Sequence, residues 1–137
     1  TSINSLINTS VLGFYPEEDN IYPVFNEESV AVLGEDGGDP YSTSLSINVT
    51  PSQLQQILNA AINFENTYHL DDYNCTDFAI ELGNQAGLGL PDCSASWPGG
   101  GGSNPGTLGV EIRDRTLQPG ETRDIIGGLA PESHKGC

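Results

Sequence analysis

A chain of 137 residues that is 36% apolar and 17% charged has enough material for one domain with a single two-layer core, and is too apolar to be disordered. No apolar run reaches the ~20 residues that a membrane helix needs, so membrane insertion is not expected. Nineteen Asp and Glu against 4 Lys and Arg leave a net charge of −15, whose field repels phosphate and argues against nucleic acid or an anionic bilayer as partner.

All four cations, Arg113, Arg115, Arg123 and Lys135, fall in the last quarter of the chain. Electrostatic docking of the tail on an acidic body is one reading, but exposed ion pairs contribute only ~0–1 kcal/mol each, and the preferred reading is a plain solvated surface. An acidic, solubilising surface suits a secreted protein, extracellular or on the cell surface.

Residues 1–9 are polar, with Ile3, Leu6 and Ile7 as apolar anchors. Ser10 to Tyr15 reads as a strand closed by Pro16, and Tyr22 to Phe25 and Glu28 to Leu33 as further short strands. Glu35, Asp36 and Asp39 then sit among glycines; a solvated turn is expected, with calcium binding as the alternative, because the spacing is not that of a known calcium loop. From Thr43 to Val49 the pattern alternates, with Leu45, Ile47 and Val49 on one face of a half-buried strand. Thr50, Pro51 and Gln53 follow as N-cap, first helical residue and capping-box partner. Leu54, Ile57, Leu58, Ala61 and Ile62 continue as an amphipathic helix, predicted to run to about Tyr68.

The stretch from Tyr73 to Ala79 is where the chain's chemistry concentrates. Asn74 is an N-cap, Asp77 stands three residues on in the first turn, and Phe78, Ala79, Leu82 and Ala86 recur at helical spacing until Gly87 stops the helix. Cys75 is thereby placed at a helix N-terminus, where free backbone N–H groups and the dipole favour a thiolate. A nucleophile fits that position; so does a small buried hydrophobe. The short loop before Asn74 makes the two helices antiparallel neighbours. Beyond Gly87, Leu88 to Pro91 is a short extended piece, and Trp97 to Gly106 is rich in glycine. Such a stretch has the composition of a linker. With Trp97 as an anchor and Leu108, Val110 and Ile112 following in register, it is instead expected to be ordered, against the cysteine site or across another crowded surface. Residues 88–137 are expected to form a Gly/Pro-rich tail wrapping the body of a single domain, 1–137.

Three cysteines leave one unpaired if two bond. Cys137 has little packing use at the last position and Cys93 lies in a loop, so a Cys93–Cys137 disulfide is expected, stabilising by about 3–4 kcal/mol and implying an oxidising compartment. Cys75 stays free. No Cys-x-x-Cys pair occurs and His69 and His134 have no familiar ligand spacing, so neither a metal nor any other cofactor is expected. Asn8-Thr9-Ser10, Asn48-Val49-Thr50 and Asn74-Cys75-Thr76 match the glycosylation pattern, as chance matches do in a chain rich in Asn, Ser and Thr.

Through Tyr73 to Ala79, then Ala86 to Pro91 and Trp97 to Gly109, and upstream through Gly13-Phe14-Tyr15-Pro16, the sequence resembles secreted bacterial domains related to the permuted NlpC/P60 (papain-like) cysteine hydrolases. The resemblance spans most of the chain, and Asn74-Cys75-Thr76-Asp77 is its chemically specific part. It implies an α+β fold, a small antiparallel sheet packed on two main helices, with Cys75 as nucleophile. It also implies a general-base histidine in a Gly-His pair on a strand before the cysteine, and no such pair is present. The domain is therefore expected to be incomplete or inactive as numbered, unless His69, six residues before Cys75, or His134 in the tail reaches the thiol. Otherwise His69 is a helix C-terminal cation. If active, the domain is a cysteine amidase, peptidase or acyl hydrolase acting on a peptide or cell-wall substrate. The alternative is a non-catalytic extracellular subunit for structure or adhesion, a homo-oligomer assembling into a fibre by strand exchange at an open sheet edge.

Overall fold

The computed structural model describes residues 9–17 and 28–133. In chain order these form β1 (Leu12–Pro16), β2 (Ser29–Glu35), β3 (Pro40–Tyr41), β4 (Ser44–Ile47), α1 (Pro51–Ile62), β5 (Thr67–Tyr68), α2 (Cys75–Gln85), β6 (Ser94–Trp97), β7 (Gly100–Ser103), α3 (Pro105–Asp114), β8 (Glu121–Asp124) and β9 (Gly128–Leu129). Among the described residues the molecule is mixed α/β, with three helices and small antiparallel sheets, compatible with the α+β class. The strand expected at Tyr22 to Phe25 lies outside the described residues, as do His134, Lys135 and Cys137.

The central sheet has the order β1-β2-β5. β1 and β2 pair antiparallel from Leu12↔Glu35 to Pro16↔Ala31, and β5 adds Ser29↔Tyr68 and Val30↔Thr67. Alternation along β1 turns Phe14 inward, and at 1% exposure it is the centre of the core. Its ring stacks on Phe78 at 5.1 Å and on Tyr68 at 5.5 Å, while Tyr73 and Phe64 meet it edge-on at 5.4 and 6.2 Å. Offset and edge contacts of this kind are worth about 0.5–1.5 kcal/mol each beyond the burial itself.

That aromatic cluster explains where the expectation for α1 fails. The capping box of Thr50 and Gln53 forms, but the helix ends at Ile62 instead of running to Tyr68. Asn63 leaves helical geometry with φ −95° and ψ 37° while its N–H still reaches Asn59 O. Turning there brings Phe64 and Tyr68 onto Phe14 and lets Thr67 and Tyr68 join the sheet, so packing overrides a helical pattern. Leu54, Leu58 and Ile62, three of the apolar residues of that helix, remain 47%, 45% and 73% exposed, and Ala61 is its buried residue.

α2 begins and ends where expected. Gly87 at φ +90° closes it, with Leu88 N–H on Gly83 O (3.0 Å) and Gly87 N–H on Asn84 O (3.1 Å), the paired bonds of a Schellman motif. Its inner stripe is Cys75, Phe78, Leu82 and Ala86, whereas Ala79 points outward. Gly87 faces Gln53 in the first turn of α1, so the end of one helix lies by the start of the other, as antiparallel neighbours require.

The tail supplies β-structure and not a charged strap. β8 pairs with β4 through Ser44↔Asp124 to Ile47↔Glu121, and β9 pairs with β3. The described cations are not spread over the acidic body. Arg115 pairs with the buried Glu121 at 3.0 Å and donates to Leu88 O at 2.7 Å. Arg123 donates to Ile112 O and Arg115 O at the end of α3, and Arg113 to Thr43 Oγ1. Carbonyls at a helix end need donors, and a guanidinium satisfies several at once.

Candidate functional site

The glycine-rich stretch is an antiparallel hairpin, Ser94↔Ser103 to Trp97↔Gly100, closed by Pro98 and by Gly99 at φ +93°, the residues a type II turn demands. Its glycines are needed for proximity. A Cβ on Gly102 would overlap the Asp71 carbonyl, one on Gly100 would meet the Asp71 carboxylate, and one on Gly101 would lie 2.9 Å from Ala95 O. The hairpin thus lies directly on the loop that leads into α2.

That loop is closed by the reciprocal bonds His69 N–H to Tyr73 O and Tyr73 N–H to His69 O, both 2.9 Å. Asn74 follows at 3% exposure, with every polar atom of its side chain engaged. Oδ1 accepts from Thr76 N–H, and Nδ2 donates to Leu70 O and to Ser103 O, each at 2.8 Å. Asp77 completes the capping box by accepting Asn74 N–H at 2.8 Å and also accepts the Ser103 hydroxyl. One residue therefore joins loop, helix and hairpin, and fixes Cys75 on the first turn. Glycosylation of Asn74 is incompatible with this burial; Asn48 is exposed, and Asn8 lies outside the described residues.

Between α2 and the hairpin is a cavity of about 540 Å³. Cys75 and Ser103 line it together with Tyr68, Leu70, Trp97 and Pro105. Its walls are mainly aromatic, aliphatic and proline carbon, the make-up of a small-molecule or side-chain site. Burial, and next the neighbouring Cys75, push the Tyr68 phenol up to about 12, so Tyr68 is a neutral hydroxyl beside the thiol at ordinary pH.

His69 is held elsewhere. Its Nδ1 accepts the N–H groups of Asp71 (3.3 Å) and Asp72 (3.1 Å) and lies 3.5 Å from the Asp72 carboxylate. No hydrogen bond joins it to Cys75, and it is not among the residues that line the cavity. In this arrangement the imidazole braces the loop. Cys93 is buried, donates to Pro91 O at 3.3 Å, and has its thiol pushed up by burial and then by Glu111 and Asp92, the setting of an unreactive cysteine. Its expected partner Cys137 and the alternative base His134 lie outside the described residues.

In the acidic loop the carboxylates of Glu35 and Asp36 accept from protein donors, while Asp39 is held by its backbone, its N–H on Asp36 O and its carbonyl accepting Ala130 N–H. Tyr15 donates to Asp36 at 2.7 Å, and Glu35 accepts from Gly37 N–H at 3.0 Å and from the Ser133 hydroxyl. Among the described residues no group of three or more His, Cys, Asp or Glu is arranged to hold a metal ion.

Cys75 and Asn74 were legible in the sequence, whereas the Gly-rich stretch was expected to be ordered either beside them or across another surface. Tyr68 was hidden inside an expected helix, and Ser103 carried no local signal, since its role depends on Asn74 and Asp77 being brought opposite it. Comparison with protein-family models, with curated proteins and with solved structures gives no match for this chain.

Proposed function

We propose that this chain is a secreted domain related to the permuted NlpC/P60 (papain-like) cysteine hydrolases, in which Cys75 takes an acyl group from a peptide or cell-wall substrate and releases it slowly. The observation that carries this reading is the opening of Cys75, on the first turn of α2, into the apolar cavity. The Cys75 sulfur attacks the acyl carbon, the thioester bond forms, and the bond to the leaving group breaks, the thiol proton passing to that group. Since Asn74 Oδ1 takes the Thr76 N–H, the Cys75 N–H at the helix start stabilises the oxyanion, and water then cleaves the thioester. With His69 Nδ1 committed to its own loop, neither step has an imidazole from that residue, so deacylation lags behind acylation for an activated ester whose leaving group needs no protonation.

A p-nitrophenyl acetate burst tests this. One equivalent of nitrophenol per chain, a slow steady state, and loss of the burst in Cys75→Ser are expected; a Cys75→Ser variant that retains the burst refutes the reading.

A second reading, a non-catalytic subunit that self-assembles, is favoured by the apolar row Leu54, Leu58 and Ile62 on α1 and by β1, which among the described residues pairs with β2 alone. Sedimentation at rising concentration separates the two: a species that stays monomeric at millimolar concentration removes it.

A further inference from the structure

The cavity at Cys75 has mainly apolar walls, and the charged side chains next to its wall residues are aspartates. Asp71 and Asp72 follow the wall residue Leu70 in the chain; the Asp71 carboxylate lies against Gly100 of the hairpin, and the Asp72 side chain, 83% exposed, is 3.5 Å from His69 Nδ1. Ser103, itself a wall residue, donates to Asp77 and lies 3.5 Å from Asp92. The described guanidiniums are all directed elsewhere: Arg113 to Thr43, Arg115 to Glu121 and Leu88, Arg123 to the end of α3. A ligand carboxylate would meet repulsion here and, among the described residues, no cationic partner, while a basic group would meet aspartates.

We propose that the cavity binds a peptide segment in which an apolar side chain, aromatic or large aliphatic, is flanked by basic residues, and that this is the substrate class presented to Cys75. This rests on the reading of Cys75 as the acyl acceptor, but the binding step is separable from it. The apolar side chain enters between Trp97 and Tyr68, beside Leu70 and Pro105, and its basic neighbours remain at the rim near Asp71, Asp72 and Asp92. A cavity of about 540 Å³ is roomy enough for a large side chain and adjoining backbone. Negative rim charge sets both the preference and its salt dependence, since exposed charges are screened beyond about 8–10 Å at physiological ionic strength.

Trp97 is the one tryptophan in the chain and stands in the cavity wall, so its emission reports occupancy without a label. The experiment titrates the intact protein with Ac-Lys-Phe-Lys-NH2, Ac-Lys-Ala-Lys-NH2, Ac-Glu-Phe-Glu-NH2 and octanoate. Expected is saturable binding of the Lys-Phe-Lys peptide, about tenfold or more tighter than Lys-Ala-Lys from the lost side-chain burial. It should also bind about tenfold tighter than Glu-Phe-Glu at low salt, with that second gap closing at 0.5 M NaCl. The same peptide should slow alkylation of Cys75 by iodoacetamide. Equal binding of the Phe and Ala peptides, equal binding of the Lys and Glu peptides at low salt, or binding of octanoate in preference to all three overturns the proposal. Repeating the titration with Cys75→Ser keeps the two claims apart: retained peptide selectivity with no acetate burst in the parent protein refutes the acyl-transfer reading and leaves the binding specificity standing, whereas a burst without selectivity does the reverse.

Discussion

Asn74 Nδ2 donates to Ser103 O at 2.8 Å, binding the start of the cysteine helix to the last residue of the glycine hairpin across 29 positions of sequence. Both residues are buried. The bond matters because it sets the two walls of the cavity at a fixed separation. Replacing Asn74 by Ala removes an N-cap and leaves two carbonyls and an N–H without partners, for an expected loss of about 2–3 kcal/mol in urea unfolding. Asn74→Asp is the sharper variant. It keeps the acceptor for Thr76 N–H but places a carboxylate oxygen against two carbonyl oxygens, so it should be no more stable than the Ala variant, and should disturb Trp97 emission.

The two glycines facing Asp71 are expected to differ. At Gly102 a new Cβ meets backbone, the Asp71 carbonyl, which cannot turn away without dragging Leu70 and Asn74. At Gly100 it meets the Asp71 carboxylate, whose side chain is free to rotate. Gly102→Ala should therefore cost about 1–3 kcal/mol and slow the acetate burst, with Gly100→Ala clearly milder on both counts. Thermal melts of the pair decide it.

Glu121 is buried and its carboxylate is divided between Arg115 at 3.0 Å and Gln118 N–H at 3.0 Å. Arg115→Ala strands that charge in the interior and also frees Leu88 O, so a loss of about 3–5 kcal/mol is expected. Changing both partners together, to Arg115→Met with Glu121→Leu, should recover part of it. A double-mutant cycle by chemical denaturation measures the coupling.

Alkaline pH should destabilise the fold in a defined window. Tyr15 is pushed up to about 12, chiefly by its hydrogen bond to Asp36 and then by burial, and Tyr68 to about 12 by burial and then Cys75. Burial and the hydrogen bond to Glu81 raise Tyr73 as well. In each case folding favours the neutral phenol. The stabilisation is complete below the unfolded value of about 10 and is lost as pH rises toward 12. Tyrosinate absorbance at 295 nm should accordingly appear in step with unfolding, and Tyr68→Phe should shift the alkaline transition upward; tyrosinate that forms fully at pH 10 in a folded chain would contradict it.

What the sequence alone determined is what depends on residues only a few positions apart. Thr50 with Gln53, Asn74 with Asp77, and Gly87 after Gln85 each place donors and acceptors within one helical turn, so helix starts and the stop of α2 could be read directly. The alternation of β4 could be read the same way, and Cys75 followed from its cap. The tertiary structure decided whatever needed a distant partner. Tyr68 left its helical pattern because Phe14 offers a ring at 5.5 Å and Ser29 a strand edge, a larger gain than extending α1. The glycines of β7 gained their meaning from the Asp71 carbonyl, and Arg115 and Arg123 from carbonyls at a helix end that no charge pattern reveals. Local hydrogen bonds are written in local sequence; burial and close approach depend on which segments the chain returns to one another.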